Sequence, residues 1–298
     1  MSTVKVPPIK CQGIKTKLVP WIKYIIDWND DGIWYEPFMG SGVVGFNIAP
    51  KKAIFSDINP HIIQLYNEIN NDHITPSVVR SFLEGEGNKL HSKGEDYYYQ
   101  VRERFNKYYD PLDLLFLSRS CFNGIMRFNK SGKFNTPFCK KVNRFRSAYI
   151  TKITNQIRWL YSLMKIRDWQ FIVSSYESIL GKTNICDFVY LDPPYHGRYA
   201  DYYTKWTLDN ENKLYSILTN IKSKFLLSTW YKNKYRTNEI AIKYEKSFNI
   251  LKRKHFYHIG GYEENRNEMI EALIANFEPN EGYEKKKVCG LQLSILDN

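Results

Sequence analysis

The apolar positions of the first third of the chain fall in short blocks whose period changes. Ile33 to Phe38 is a continuous apolar and aromatic run that ends in Met39-Gly40-Ser41-Gly42, and Val43 to Ile48 then reads as a helix. Ala53 to Ser56 makes a second short strand closed by Asp57. Pro60 to Ile69 follows with helical spacing at Ile62, Ile63, Tyr66 and Ile69, and with Asn59 as its cap. Strand, loop, helix, strand, helix predicts a parallel sheet. From about Asn70 the pattern turns helical and tyrosine-rich (Tyr97, Tyr98, Tyr99, Val101, Phe105, Tyr108, Tyr109), then gives way to turn signals at Asn123-Gly124 and Ser131-Gly132. The sheet resumes at Phe171 to Ser174 and at Phe188 to Leu191. Phe225 to Thr229 follows an amphipathic stretch from Asn210 to Ile221, and Met269 to Phe277 reads as one arm of a terminal hairpin. Pro279 to Asn298, with Lys285-Lys286-Lys287, reads as a peripheral tail. The expected organisation is an α/β domain in two segments, 1–70 and 168–298, with a mainly helical insertion at 71–167.

A length of 298 residues is about two domains' worth at ~100 to 200 residues each, and 43% hydrophobic residues can build a core. No apolar run approaches the ~20 residues of a membrane span. Met1 to Lys10 lacks the apolar segment of a secretory signal, so a cytoplasmic address is expected. The five cysteines are odd in number and form no CxxC pair, which points to neither a disulfide framework nor a zinc cluster.

Charge changes the picture more. Between Leu114 and Arg167 there are twelve Lys or Arg and no Asp or Glu, which equals the chain's entire net charge of +12. A surface built this way suits a polyanion, although a solvated basic face is the plain alternative. Phe122, Phe128, Phe134, Phe138, Phe145 and Tyr149 lie among these cations; such rings either stack on bases or belong to a core.

Two further motifs carry chemistry. In Glu36-Pro37-Phe38-Met39-Gly40-Ser41-Gly42, glycines at the end of a strand permit a tight turn and close approach to a ligand. The loop lacks the Gly-Lys-Ser/Thr of a phosphate loop, and Gly40, Gly42 and Gly45 meet GxGxxG only in part. Asp57 after the second strand suits ribose hydroxyls, implying an adenosine-type cofactor, or else a favourable charge at a helix start. Asp192-Pro193-Pro194-Tyr195 is the most informative quartet. Consecutive prolines fix φ and remove two donors, leaving a stiff corner with directed carbonyls. An amino group on an aromatic ring is a poor nucleophile because its lone pair is delocalised. Asp192 and the Pro193 carbonyl supply two acceptors for its hydrogens, and Tyr195 offers a ring to a base that has been flipped from its stack.

The ordered set Lys10-Cys11-Gln12-Gly13-Ile14-Lys15, Glu36 to Gly42, Asp57-Ile58-Asn59, Phe122-Asn123-Gly124-Ile125-Met126-Arg127-Phe128-Asn129 with Gly132, Phe134, Asn135 and Pro137, and Asp192 to Tyr195 resembles the Dam-type DNA adenine-N6 methyltransferases. The resemblance spans Pro7 to about Phe277. Pro7-Pro8-Ile9-Lys10 and Ser120-Cys121-Phe122-Asn123-Gly124 are similar to an EcoRV-type branch, which implies GATATC as the target. The family implies a Rossmann-like S-adenosyl-L-methionine-dependent methyltransferase sheet with an inserted, mainly helical DNA-recognition domain. It implies that Asp192, Pro193, Pro194 and Tyr195 are catalytic, and that Cys11, Lys15, Glu36, Pro37, Phe38, Gly40, Gly42, Asp57, Asn59 and Asp192 hold the cofactor. Within that set, Lys15 would meet the cofactor carboxylate and Asp57 the ribose. Many relatives have an aromatic residue at the place of Cys11, so no ring contact is expected there.

Double-stranded DNA is the expected partner, together with a cognate restriction endonuclease acting on the same site; no membrane is expected. Arg119, Arg127, Lys130, Lys133, Lys140, Lys141, Arg144 and Arg146 are expected on phosphates. Asn123, Asn129 and Asn135 complete the DNA-binding set, with Asn129, Asn135 and one arginine reading base edges. His255 and His258 have no ligand-type neighbours at metal spacing, and methyl transfer from a sulfonium needs no metal. His196 reads as lining the mouth of the pocket, and the segment from Arg198 to Trp206 as a loop over the site or an aromatic surface patch. A cytosine-N4 or RNA methyltransferase, or a DNA-binding relative without catalysis, stays open as an alternative.

Overall fold

The computed structural model describes residues 3–195, 206–258, 266–280 and 282–283. The chain opens with α1 (Val19–Ile25), β1 (Trp34–Glu36), α2 (Val43–Ile48), β2 (Lys52–Asp57) and α3 (Pro60–Asn70). Four more helices follow, α4 (Pro76–Lys93), α5 (Glu95–Tyr108), α6 (Pro111–Ser120) and α7 (Ser147–Met164). The remainder is β3 (Asp168–Val173), α8 (Tyr176–Leu180), β4 (Phe188–Leu191), α9 (Leu208–Leu218), β5 (Lys224–Asn233), α10 (Glu239–Glu245), β6 (Asn249–His258) and β7 (Arg266–Ala275). The seven strands form one sheet in the order β3-β2-β1-β4-β5-β7-β6. β1 to β5 pair in parallel, and β7 runs antiparallel between β5 and β6.

Both faces of the sheet are covered, and the side chains divide with the period of two that a strand imposes. On the first face Trp34, Phe55, Phe188, Tyr190 and Leu226 join the core that includes α1, α2, α3 and α7. On the second face Tyr35, Val189, Leu191, Phe225 and Leu227 pack against α8, α9 and α10. α3 begins as its sequence demands: Pro60 occupies its first turn and the Asn59 side chain accepts a bond from the His61 N–H at 3.0 Å. Its stripe of Ile62, Ile63, Tyr66 and Ile69 is buried.

The long span between β2 and β3 departs from the expected helical insertion in two ways. The buried residues of α4 to α7 are contiguous with the first-face core. The basic part, residues 121–146, carries only one 3-10 turn, Phe122–Gly124, and isolated antiparallel bridges pairing Cys121 with Phe138 and Phe128 with Phe134. Proline, glycine and asparagine turns interrupt any helical run there. At the other end Tyr283 is buried against Tyr24, with ring centroids 5.5 Å apart, so the described part of the expected tail is anchored. No helix among the described residues is long and apolar enough to cross a membrane.

Candidate active site

The strand order reverses between β1 and β4, so the loops leaving their carboxyl ends open a crevice where doubly wound sheets bind ligands. The glycine loop follows β1. Gly40 has φ 47° and Gly42 φ 71°, and a Cβ on Gly42 would collide with the Phe46 ring. The Met39 N–H donates to the Ser56 carbonyl at 3.0 Å, the Gly42 N–H to Met39 at 2.6 Å, and the Tyr66 hydroxyl to Ser41 at 2.8 Å. Asp57, at the end of β2, accepts from the Gly40 N–H and the Asn59 N–H, each at 2.9 Å. Burial raises its carboxyl above the ordinary range.

Glu36 lies beneath the loop. Its Oε2 accepts from the Gly45 N–H at 2.9 Å and the Trp34 indole at 3.1 Å, and burial pushes its carboxyl up to about 8. Glu36, expected to hold the cofactor as part of the loop, thus braces that loop from below through Oε2. Asn59 is likewise committed to capping α3 and is buried. Cys11 packs beside Gly40, 3.6 Å from where a Cβ would stand, and burial drives its thiol far up. Pro37 and Phe38 continue from β1, and Phe38 stacks on Tyr176 at 5.3 Å and meets Trp206 edge-on at 5.4 Å.

Asp192-Pro193-Pro194-Tyr195 leaves β4 beside this loop. Lys15 is almost wholly buried, and its ammonium bridges both Asp192 oxygens, at 2.8 and 2.9 Å, and the Gly13 carbonyl at 3.0 Å. Burial raises the Asp192 carboxyl, and Lys15 opposes that shift. The Tyr195 ring is 7% exposed, packs with Trp230 and Met269, and lies 4.9 Å beneath the Lys15 ammonium. Its hydroxyl donates to Glu271 at 3.1 Å. Glu271 is fully buried on β7 and was missed in the sequence, although a lone acid inside Met269-Ile270-Glu271-Ala272-Leu273-Ile274 is a readable signal.

The residues present fit an S-adenosylmethionine group. A buried cation at Lys15 suits a carboxylate, Asp57 keeps lone pairs for hydroxyls beyond the two it uses, and the positive-φ glycines carry backbone between them.

The expected DNA set divides. Arg127, Lys130, Lys133, Lys140, Lys141 and Arg146, with Asn123 and Asn135, are exposed. Lys140, Lys141, Asn143, Arg144, Arg146 and Tyr149 line a basic groove of about 670 Å³. One expectation is corrected and two are narrowed. Arg119 is 2% exposed and donates to Gln156 at 2.6 Å and Pro7 at 3.4 Å, so it is part of the core and cannot reach a phosphate. Arg144 is half-buried and spends its guanidinium on the Arg119 carbonyl at 2.6 Å and the Tyr149 hydroxyl at 3.0 Å. The Asn129 Oδ1 accepts from Ser131 and Lys133, closing a turn, so that oxygen is taken from base reading. Of the rings, Phe134, Phe138 and Phe145 are core, whereas Phe122 is 54% exposed. His196, the segment 198–205 and the side chains of His255 and His258 lie outside the described residues.

The strand order, the glycine loop and the Asp-Pro-Pro-Tyr corner accompany a match to the family model of the D12 class N6 adenine-specific DNA methyltransferases over residues 12–259. The chain belongs to this family. Members use S-adenosylmethionine as methyl donor. Among its relatives, Type II methyltransferase M.FokI of Planomicrobium okeanokoites is 29% identical, over 91% of this chain and 42% of that protein. Type II methyltransferase M.MjaIII of Methanocaldococcus jannaschii is 28% identical, over 91% of this chain and 99% of its own length. The DNA adenine methylase of Serratia marcescens is 32% identical, over 63% of this chain and 66% of that protein. The chain thus spans less than half the length of M.FokI and of Modification methylase StsI of Streptococcus sanguinis.

Proposed function

We propose that this chain methylates N6 of adenine in a short duplex DNA site, as the modification half of a restriction-modification system, with residues 71–167 recognising the target. The observation that carries the reading is the Asp192 corner, held by Lys15 at 2.8 Å beside a glycine loop at the switch point of the sheet. Bound S-adenosylmethionine supplies a sulfonium-activated methyl group. Lys15 would hold its carboxylate, Asp57 its ribose, and Gly40 and Gly42 the loop around it. Asp192 and the Pro193 carbonyl would accept hydrogen bonds from the two N–H groups of the extruded amine, localising its lone pair for in-line attack; as the N–C bond forms the S–C bond breaks, the thioether leaves, and the amine sheds one proton to solvent. The raised proton affinity of the half-buried Asp192 suits that acceptor role. Tyr195 would present its ring to the base after leaving its packed position.

Digestion of DNA incubated with the protein and donor should yield N6-methyl-2'-deoxyadenosine. Product on cytosine, or on RNA alone, would select the rival chemistries. Asp192→Ala should abolish turnover and leave DNA affinity within a few fold; retained turnover would refute the mechanism. GATATC is the proposed site, and mapping modified adenines to another motif would overturn that site without touching the chemistry. A cognate endonuclease sharing the site is the corresponding proposed partner.

A further inference from the structure

β5 outruns its neighbour. Leu191, the last residue of β4, pairs with Leu227, and β5 continues six residues to Asn233, roughly 20 Å further at ~3.3 Å per residue. The continuation stands at the same edge of the sheet as the Asp192 corner, because β4 and β5 are parallel. It ends in a tight turn, Tyr231-Lys232-Asn233-Lys234-Tyr235-Arg236-Thr237-Asn238, with three basic residues and no acid.

The turn is stiff. Asn233 Oδ1 accepts from the N–H groups of Tyr235 and Arg236, each at 2.9 Å, and the Asn233 N–H donates to the Arg236 carbonyl at 3.0 Å. Lys232 bridges Thr237, and the Asn238 N–H returns to the Tyr231 carbonyl at 2.8 Å. Such a turn offers its side chains in set directions at small entropic cost. Lys232, Lys234, Tyr235 and Arg236 are exposed, Tyr235 to 77%. The turn is also seated on the site: the Arg236 guanidinium lies 5.0 Å from the Trp230 ring, and Trp230 packs on Tyr195.

The corner after β4 thus has a basic element on each side in the sheet. On the β1 side, Cys11 touches the glycine loop, and Lys10 reaches Gly124 in the first basic region. On the β5 side stands this turn. A duplex presenting one extruded base to Asp192 carries phosphates on both sides of the gap. We propose that the turn, through Lys232, Lys234 and Tyr235, grips the sugar-phosphate backbone on the β5 side of the extruded adenine. The proposal rests on the reading of the chain as a DNA methyltransferase.

The test compares the full chain with Lys232→Gln/Lys234→Gln and, in parallel, Lys140→Ala/Lys141→Ala, by duplex anisotropy titrations between about 50 and 200 mM salt. Two lost phosphate contacts should lower the log-log salt slope by about 1.8, so that wild-type affinity falls about 12-fold further than the variant's across that range. The loss should be equal for target and random duplexes, with cofactor-induced thermal stabilisation intact as the sign of a folded site. An unchanged slope in the turn variant, beside a reduced one in the groove variant, would overturn this proposal and leave the enzymatic reading standing. No methylated adenine from the wild type, with no effect of either variant, would overturn both.

Discussion

Glu36 is a carboxyl group surrounded by the core, yet its oxygen does the work of an acceptor. Burial holds its titration near 8 against an ordinary 4.5, so the folded chain keeps a proton that the unfolded chain releases. The contribution to stability is whole below about 4.5 and is lost as pH rises through about 8. Glu36→Gln retains the acceptor for Gly45 and Trp34 and cannot titrate. Urea midpoints measured from about pH 5 to 9 should therefore decline less steeply for the variant, and parallel curves would show that Glu36 is ionised throughout. Tyr195 gives a complementary case. Its hydroxyl satisfies the fully buried Glu271, so Tyr195→Phe should cost about 1 to 3 kcal/mol in denaturant unfolding. The aromatic face remains in that variant, so initial methylation rates should stay within a few fold, while Tyr195→Ala should lose most of the rate. Equal rate losses in both variants would make the hydroxyl, rather than the ring, the functional group.

At the level of elements, α6 shows what a count of charges leaves out. Leu114 to Ser120 is buried on every side, and Arg119 within it spends its charge on Gln156 and Pro7. The readable sign was its position in an otherwise apolar helix, which a tally of basic residues ignores. Arg119→Met should lower stability and leave the salt slope of DNA binding unchanged; a reduced slope would return Arg119 to the phosphate set. A second buried network ties α4, α5 and α6: Arg104 donates to Asp113 and Glu86 at 2.7 Å, and Tyr97 donates to Glu86 at 2.7 Å. Because Arg104 is partly exposed while both carboxylates are buried, Arg104→Met should cost about 3 kcal/mol, read from urea unfolding. The bounds of α2 and β4 were legible to the residue: Gly42 and Pro50 bracket the first, and Asp187 and the Asp192-Pro193 corner close off the apolar run of the second. β6 was not. As an edge strand it carries Lys252, Arg253 and Lys254, charges that guard an edge and erase the alternation by which a strand is recognised. The turns of residues 121–146 were legible singly, but the bridges between them depend on partners far apart in the chain.

Across the whole molecule, the segment from Pro7 to Lys15 acts as a strap. It takes a bond from Arg119 at Pro7, approaches Gly124 through Lys10, packs on Gly40 through Cys11, and ends with Lys15 on Asp192. Lys15 and Asp192 were both expected at the cofactor, but their ion pair was not legible, because residues 177 apart reveal their pairing only when the sheet brings them together. The strap makes one ammonium the junction of the first basic region, the glycine loop and the Asp192 corner. A donor whose carboxylate binds Lys15 should then stabilise the whole fold, by about 2.7 kcal/mol at a hundred times its dissociation constant. Lys15→Met removes that anchor and leaves Asp192 half-buried without its cation. Its melting temperature should be lower than wild type, and S-adenosylmethionine at the concentration that shifts the wild type should shift it little. Asp192→Asn separates the two effects: it weakens the pair and spares the ammonium, so its melting temperature should still rise with donor. If Lys15→Met responded to donor as fully as the wild type does, the carboxylate would have to be held elsewhere, and the strap would join basic region to corner through Asp192 alone.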